Sequence, residues 1–204
     1  ITGQSVARYG RSHTTNPIIV FDDRPLTEEQ QSLIKTYNLT LAPTLDALFT
    51  ADCIIPRSAI DITKYRATIG EQLLTELDLF AQTHTSPTIG VTGSLGKTSV
   101  CTILHALLSR CAHQVLLAGN IGTGMMDIAP KKSDYTILEL SSFQLEHTKN
   151  YAPKVAILTP LAPNHLDRHK TMDAYINAKL NLIRYQGPDD IAIDCGANVG
   201  EVTE

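Results

Sequence analysis

A turn of small residues, Thr92-Gly93-Ser94-Leu95-Gly96-Lys97-Thr98-Ser99, separates two apolar stretches of different period and constrains the fold more than any other feature of the sequence. Ahead of it, 87–89 reads as the end of a short buried strand. Behind it, Val100, Ile103, Leu104, Leu107, Leu108 and Cys111 recur at helical spacing and predict one apolar helix face. In a strand–turn–helix of this kind, backbone N–H groups wrap an anion and the helix N-terminus favours it. Lys97 adds a point charge for terminal phosphates, and the Thr98 hydroxyl is placed to reach a magnesium ion. The strict pattern puts glycine where Val91 stands, and the competing reading is a tight turn with a helix-terminal lysine. The reading adopted is a nucleoside triphosphate site built from Gly93, Ser94, Leu95, Gly96, Lys97, Thr98 and Ser99.

The rest of the chain alternates strand and helix patterns, which predicts α/β architecture with parallel sheets. Residues 1–5 read as a glycine turn entering a helix, and 17–21 as a strand buried on both faces that ends in Asp22-Asp23. A carboxylate there, some twenty residues after a glycine turn, is placed to meet a ribose or base; a solvated loop or helix cap is the equal alternative. A helix is expected over 28–37, a short strand over 39–41, a helical turn over 45–49, a strand over 52–55 and a helix over 70–80. The polar segment 82–87 reads as a domain boundary, with His84 an exposed linker residue. Strands follow at 115–118, 135–140, 155–160 and 191–193. The strand at 135–140 carries Glu139, which is costly there unless paired or bound to a metal. A helix over 174–185 puts Tyr175, Ala178, Leu182 and Tyr185 on one side and Lys179 on a different face. His165 and its neighbours Asn164 and Asp167 are also compatible with helix capping, and Asp167 and His169 with loop structure.

Composition excludes some classes. A formal net charge of -4, with no basic run, argues against a nucleic-acid surface. Nothing approaches the roughly 18 apolar residues of a membrane span. The four cysteines lack metal-ligand spacing and read as reduced packing thiols, which points to the cytoplasm. Both ends read as cut, since no initiator methionine or leader is present.

Four segments together resemble the Mur ligase family of bacterial cell-wall synthesis: 92–99, Gly-Asn-Ile-Gly at 119–122, Glu-Leu-Ser-Ser-Phe-Gln-Leu-Glu at 139–146, and Asn-His-Leu-Asp-Arg-His at 164–169. Ala-Lys-Leu at 178–180 lies at a suitable distance beyond. The resemblance implies a Rossmann-like domain over 1–85 that binds the UDP end of a sugar-peptide substrate, without its first strand. It also implies an incomplete P-loop ATPase domain over 86–204, and a third, amino-acid-holding domain that is absent. The likeness is to the branch that adds D-glutamate through an acyl phosphate; a sibling adding another amino acid and a degenerate nucleotide-binding protein are the alternatives. ATP and one or two magnesium ions are the implied cofactors, held by Thr98, Glu139, His165 and a carbamylated Lys179. Lys97, His165 and Lys179 are the implied catalytic residues. Ile1, Thr2, Gly3, Asp22, Asp23, Asn120 and Ser141 are the implied substrate contacts, and Phe143 and Leu145 read as core. A monomer that does not turn over by itself is expected. Four places depart from the family pattern: Leu95 for asparagine, Asn164 for an acidic residue, Arg57 for a turn glycine, and the unmatched segment 194–198.

Overall fold

The structure, a computed structural model, describes residues 2–197. In chain order the elements are α1 (Thr2–His13), β1 (Ile19–Val20), α2 (Glu28–Thr36), β2 (Thr40–Leu41), α3 (Arg66–Ile69), α4 (Glu76–Thr83), β3 (Thr88–Thr92) and α5 (Lys97–Arg110). There follow β4 (Val115–Gly119), α6 (Met125–Ile128), β5 (Tyr135–Glu139), α7 (Ser142–Leu145), β6 (Val155–Leu158), α8 (Leu166–His169), α9 (Met172–Arg184) and β7 (Ile191–Asp194). Short 3-10 turns at Leu45–Thr50, Thr63–Tyr65 and Gly70–Gln72 fill the irregular stretch before α4.

Five parallel strands in the order β4-β5-β3-β6-β7 form the main sheet. β3 lies at its centre, and the chain leaves it first toward β4 and later toward β6. The loops after β3, β5 and β6 therefore open side by side at the carboxyl ends of the strands, where open α/β sheets bind ligands. One face of the sheet buries Ile89, Val91, Ile137 and Ile157 against Cys101, Val100, Leu104 and Leu108 of α5. The other buries Leu138, Leu140 and Ala156 with Leu77 and Phe80 of α4, Met125 and Met126 of α6, Leu145 of α7 and Leu182 of α9. Gly90 matters to that second face, because a Cβ there would stand 2.6 Å from Leu182 Cδ1. Its absence lets α9 lie directly over β3, and this carries Lys179 to the end of the strand.

Several expectations are corrected. β1 and β2 form only a two-residue parallel ladder, and Ile19 is exposed rather than buried on both faces. The strand expected over 52–55 is a single bridge, Ile54 to Leu73, because nothing beyond it extends the ladder. The helix expected over 70–80 breaks at the extended Leu73; α4 starts afresh at the Thr75 cap, whose hydroxyl accepts the Asp78 N–H. On α5 the buried flank is Val100, Cys101, Leu104 and Leu108, with Ile103 and Leu107 more than half exposed. All four cysteines are free, but only Cys101 is buried. His84 is buried: Nδ1 lies 3.0 Å from Ala129 O, Nε2 lies 2.8 Å from Thr136 Oγ1, and the ring stacks on Phe80. Lys179 shares the buried face of α9 with Tyr175, Ala178 and Leu182. No helix among the described residues is long and apolar enough to cross a membrane.

Candidate functional site

Gly93 and Gly96 shape the loop between β3 and α5. Gly93, at φ 149°, lies so close to Thr159 that any side chain would collide with it, and Gly96 takes the left-handed φ of 81° as α5 begins. The Lys97 ammonium folds back onto the loop, donating to Gly93 O at 2.8 Å and Ser94 O at 3.2 Å. Leu95 and Ser99 are exposed, Leu95 at 65%.

Thr98 and Glu139 are in direct contact. Thr98 Oγ1 donates to Glu139 Oε2 at 2.8 Å, and Asn120 Nδ2 donates to Glu139 Oε1 at 3.0 Å. Glu139 is 1% exposed, so its carboxyl group is held out of water by two neutral donors. These are hard oxygen groups at the mouth of an anion-binding loop, and a divalent cation suits them. Among the described residues, no group of three His, Cys, Asp or Glu side chains could hold a metal alone.

Lys179 reaches the same loop from α9. It is 2% exposed, donates to Gly93 O at 2.9 Å and Thr92 Oγ1 at 3.3 Å, and lies 4.7 Å from the centre of the Tyr175 ring. Lys97 and Lys179 thus meet at one carbonyl. Burial, reinforced by the Lys97 charge, lowers the Lys179 pKa from 10.5 to about 7.

Among the described residues, His165 has no hydrogen bond or ion pair to this group. It takes a left-handed φ of 54° ahead of α8, and its exposed ring lies 4.8 Å from that of Phe143. His169 is buried, with Nε2 2.9 Å from Ser142 Oγ and its ring between those of Phe143 and Tyr175. Ser141 caps α7, accepting the Gln144 N–H. Phe143 is half-buried and Leu145 is fully so. Asp22 pairs with Arg24 at 3.1 Å, which holds its carboxyl below the ordinary range, while Asp23 is exposed. Gly3 lies beside the aliphatic part of Arg57. Ile1, the side chain of Thr2 and Asn198 lie outside the described residues.

Sequence reasoning missed Tyr175 and His169 as neighbours of the site. The spacing held a signal for the first: Tyr175 precedes Lys179 by four residues, one helical turn on the same face.

Residues 91–198, just over half of the chain, match the family model described as the Mur ligase middle domain. The chain is 37% identical over 153 residues to the UDP-N-acetylmuramoylalanine--D-glutamate ligase of Oleidesulfovibrio alaskensis, covering 70% of this chain and 34% of that protein. It is 34% identical over 193 residues to the ligase of the same name from Legionella pneumophila, covering 90% of this chain and 43% of that one. It therefore spans between about a third and under half the length of these relatives. In fold it is similar to the UDP-N-acetylmuramate:L-alanyl-gamma-D-glutamyl-meso-diaminopimelate ligase of Neisseria meningitides, with TM-score 0.57, 15% identity, and 94% of this chain and 67% of that one covered. MurF ligase from Thermotoga maritima, solved in complex with ADP, has TM-score 0.51 and 19% identity over 91% of this chain and 44% of its own. The matched residues begin in the strand that feeds the loop and continue past α9, so the chain belongs to the Mur ligase family.

Proposed function

We propose that this chain is the nucleotide- and UDP-sugar-binding portion of an ATP-dependent ligase that joins D-glutamate to UDP-N-acetylmuramoyl-alanine. The observation that carries the reading is the contact between Thr98 and the buried Glu139 at the mouth of the loop. Residues 1–85 hold the UDP end, through the segment 1–3 with Asp22 and Asp23, and 86–204 hold ATP. A carboxylate is a poor electrophile; phosphorylation by ATP converts it to an acyl phosphate, and the amine of D-glutamate then displaces phosphate to form the amide.

The chain's residues meet the demands of that chemistry. Transfer of a phosphoryl group needs charge neutralisation more than acid–base help. Lys97 gives up its carbonyl partners for phosphate oxygens, and Ser94, Leu95 and Ser99 line the loop around them. Thr98, Glu139, His165 and a carbamylated Lys179 would hold magnesium, which when bound neutralises the terminal phosphates. Carbamylation needs the neutral amine, and a pKa of about 7 leaves a large share of Lys179 in that form near neutrality. Asn120 and Ser141 are the further substrate contacts in this reading. His165 joins the set by leaving Phe143.

Calorimetry tests the reading. ATP binding is expected to require magnesium, to be lost in Lys97→Ala, and to lose its magnesium dependence in Glu139→Gln. In the full-length protein, phosphate release is expected with D-glutamate and not with L-lysine. Release with L-lysine alone would reassign the acceptor, and no magnesium-dependent ATP binding by the wild type would leave a nucleotide-binding fold without ligase activity.

A further inference from the structure

Three parts of the site meet at one hydroxyl. Ser94 Oγ lies 2.8 Å from Ala162 O and 2.8 Å from Tyr175 Oη, and it accepts the Ala162 N–H at 2.9 Å. Tyr175 is buried, and burial pushes its phenol pKa up, so it stays protonated and donates to Ser94. Ser94 then donates to Ala162 O. A serine hydroxyl has one proton and two lone pairs, and all three are used. Nothing remains to offer a phosphate oxygen.

Each partner leads to a residue of the ligase chemistry. Ala162 lies three residues before His165, and the same stretch is held again by the Ser94 and Leu95 N–H groups, which donate to Pro160 O at 3.0 and 3.4 Å. Tyr175 lies one helical turn before Lys179, whose ammonium rests over its ring.

We infer that Ser94 is a positioning residue, acting through Ala162 and Tyr175 to align the His165 loop and Lys179 with the nucleotide loop, and not a phosphate ligand. The inference rests on the ligase reading above. Displacing a reacting group by about 1 Å costs on the order of a hundredfold in rate, so the loss appears in turnover rather than in nucleotide affinity.

The test uses Ser94→Ala and Ser94→Thr in the full-length protein, with amide exchange read on the present chain. Ser94→Ala is expected to lower kcat by about ten- to a hundredfold with KM for ATP within about threefold, and Ser94→Thr, which keeps the hydroxyl, to recover most of the loss. Exchange of the Ala162 amide is expected to rise by about tenfold or more in Ser94→Ala. A KM for ATP raised about tenfold with kcat unchanged would make Ser94 a phosphate ligand and overturn the inference. Unchanged Ala162 exchange would overturn it as well. A wild type that ligates nothing would refute the ligase reading instead, and the exchange experiment would still decide whether Ser94 holds the loop.

Discussion

Leu95 and Lys179 show how single side chains set the behaviour of the nucleotide loop. Leu95 projects into water at the rim of the loop and offers no donor to an anion. Leu95→Asn is expected to tighten ATP binding by about tenfold, the scale of one hydrogen bond to a charged group, as a titration would show. Lys179 makes a claim about pH. Its pKa in the fold, about 7, lies below the ordinary 10.5, so between those values the unfolded chain binds the extra proton. Stability is therefore expected to rise with pH across that window, by up to about 1.4 kcal/mol per unit, and to carry the full penalty below pH 7. Lys179→Met removes the contribution. Denaturant unfolding of both proteins at pH 7 and pH 9, in carbonate-free buffer, checks this; an unchanged difference between them would refute it.

At the scale of elements, patterns set by the chain itself were legible and patterns set by a neighbour were not. α2 occupies Glu28–Thr36, close to the expected 28–37, because Thr27 and Gln30 form a capping box wholly within the local sequence. The strand–loop–helix of β3 and α5 was equally readable. The apolar stripe of α5 was wider than the face that the sheet covers, so spacing could not tell Leu104 from Ile103. His84 shows the same limit. A histidine in a polar stretch reads as linker, yet Phe80 of α4 stacks on its ring, and Ala129 at the end of α6 and Thr136 of β5 supply its hydrogen bonds. His84→Ala takes a buried partner from Ala129 O and from the Thr136 hydroxyl, which keeps Ser133 Oγ, and is expected to cost about 2–4 kcal/mol, read as a lower denaturation midpoint.

Across the whole molecule, the amino-terminal helix is tied to the sheet domain through its flank. Arg8 Nε lies 2.9 Å and Nη2 2.6 Å from the two carboxylate oxygens of Asp127, one turn after the glycine-rich segment that carries Asn120, and Ser5 Oγ donates to Glu76 at 2.9 Å. Arg8 and Asp127 are about a third and a quarter exposed, so a double-mutant cycle is expected to give a coupling of about 1 kcal/mol, between surface and buried pairs. A coupling near zero would mean that α1 is held by its apolar contacts alone. The sequence by itself determined the strand–turn–helix around 92–99 and the alternation of strands and helices that builds a parallel sheet, because both follow from local turn chemistry and periodicity. Only the tertiary structure decided that Lys179 is buried beside Lys97, that Ser94 spends its hydroxyl on Ala162 and Tyr175, and that His165 rests on Phe143. Those outcomes depend on how closely α9 approaches the sheet over Gly90 and on where the loop after β6 crosses it, distances that no stretch of sequence encodes alone.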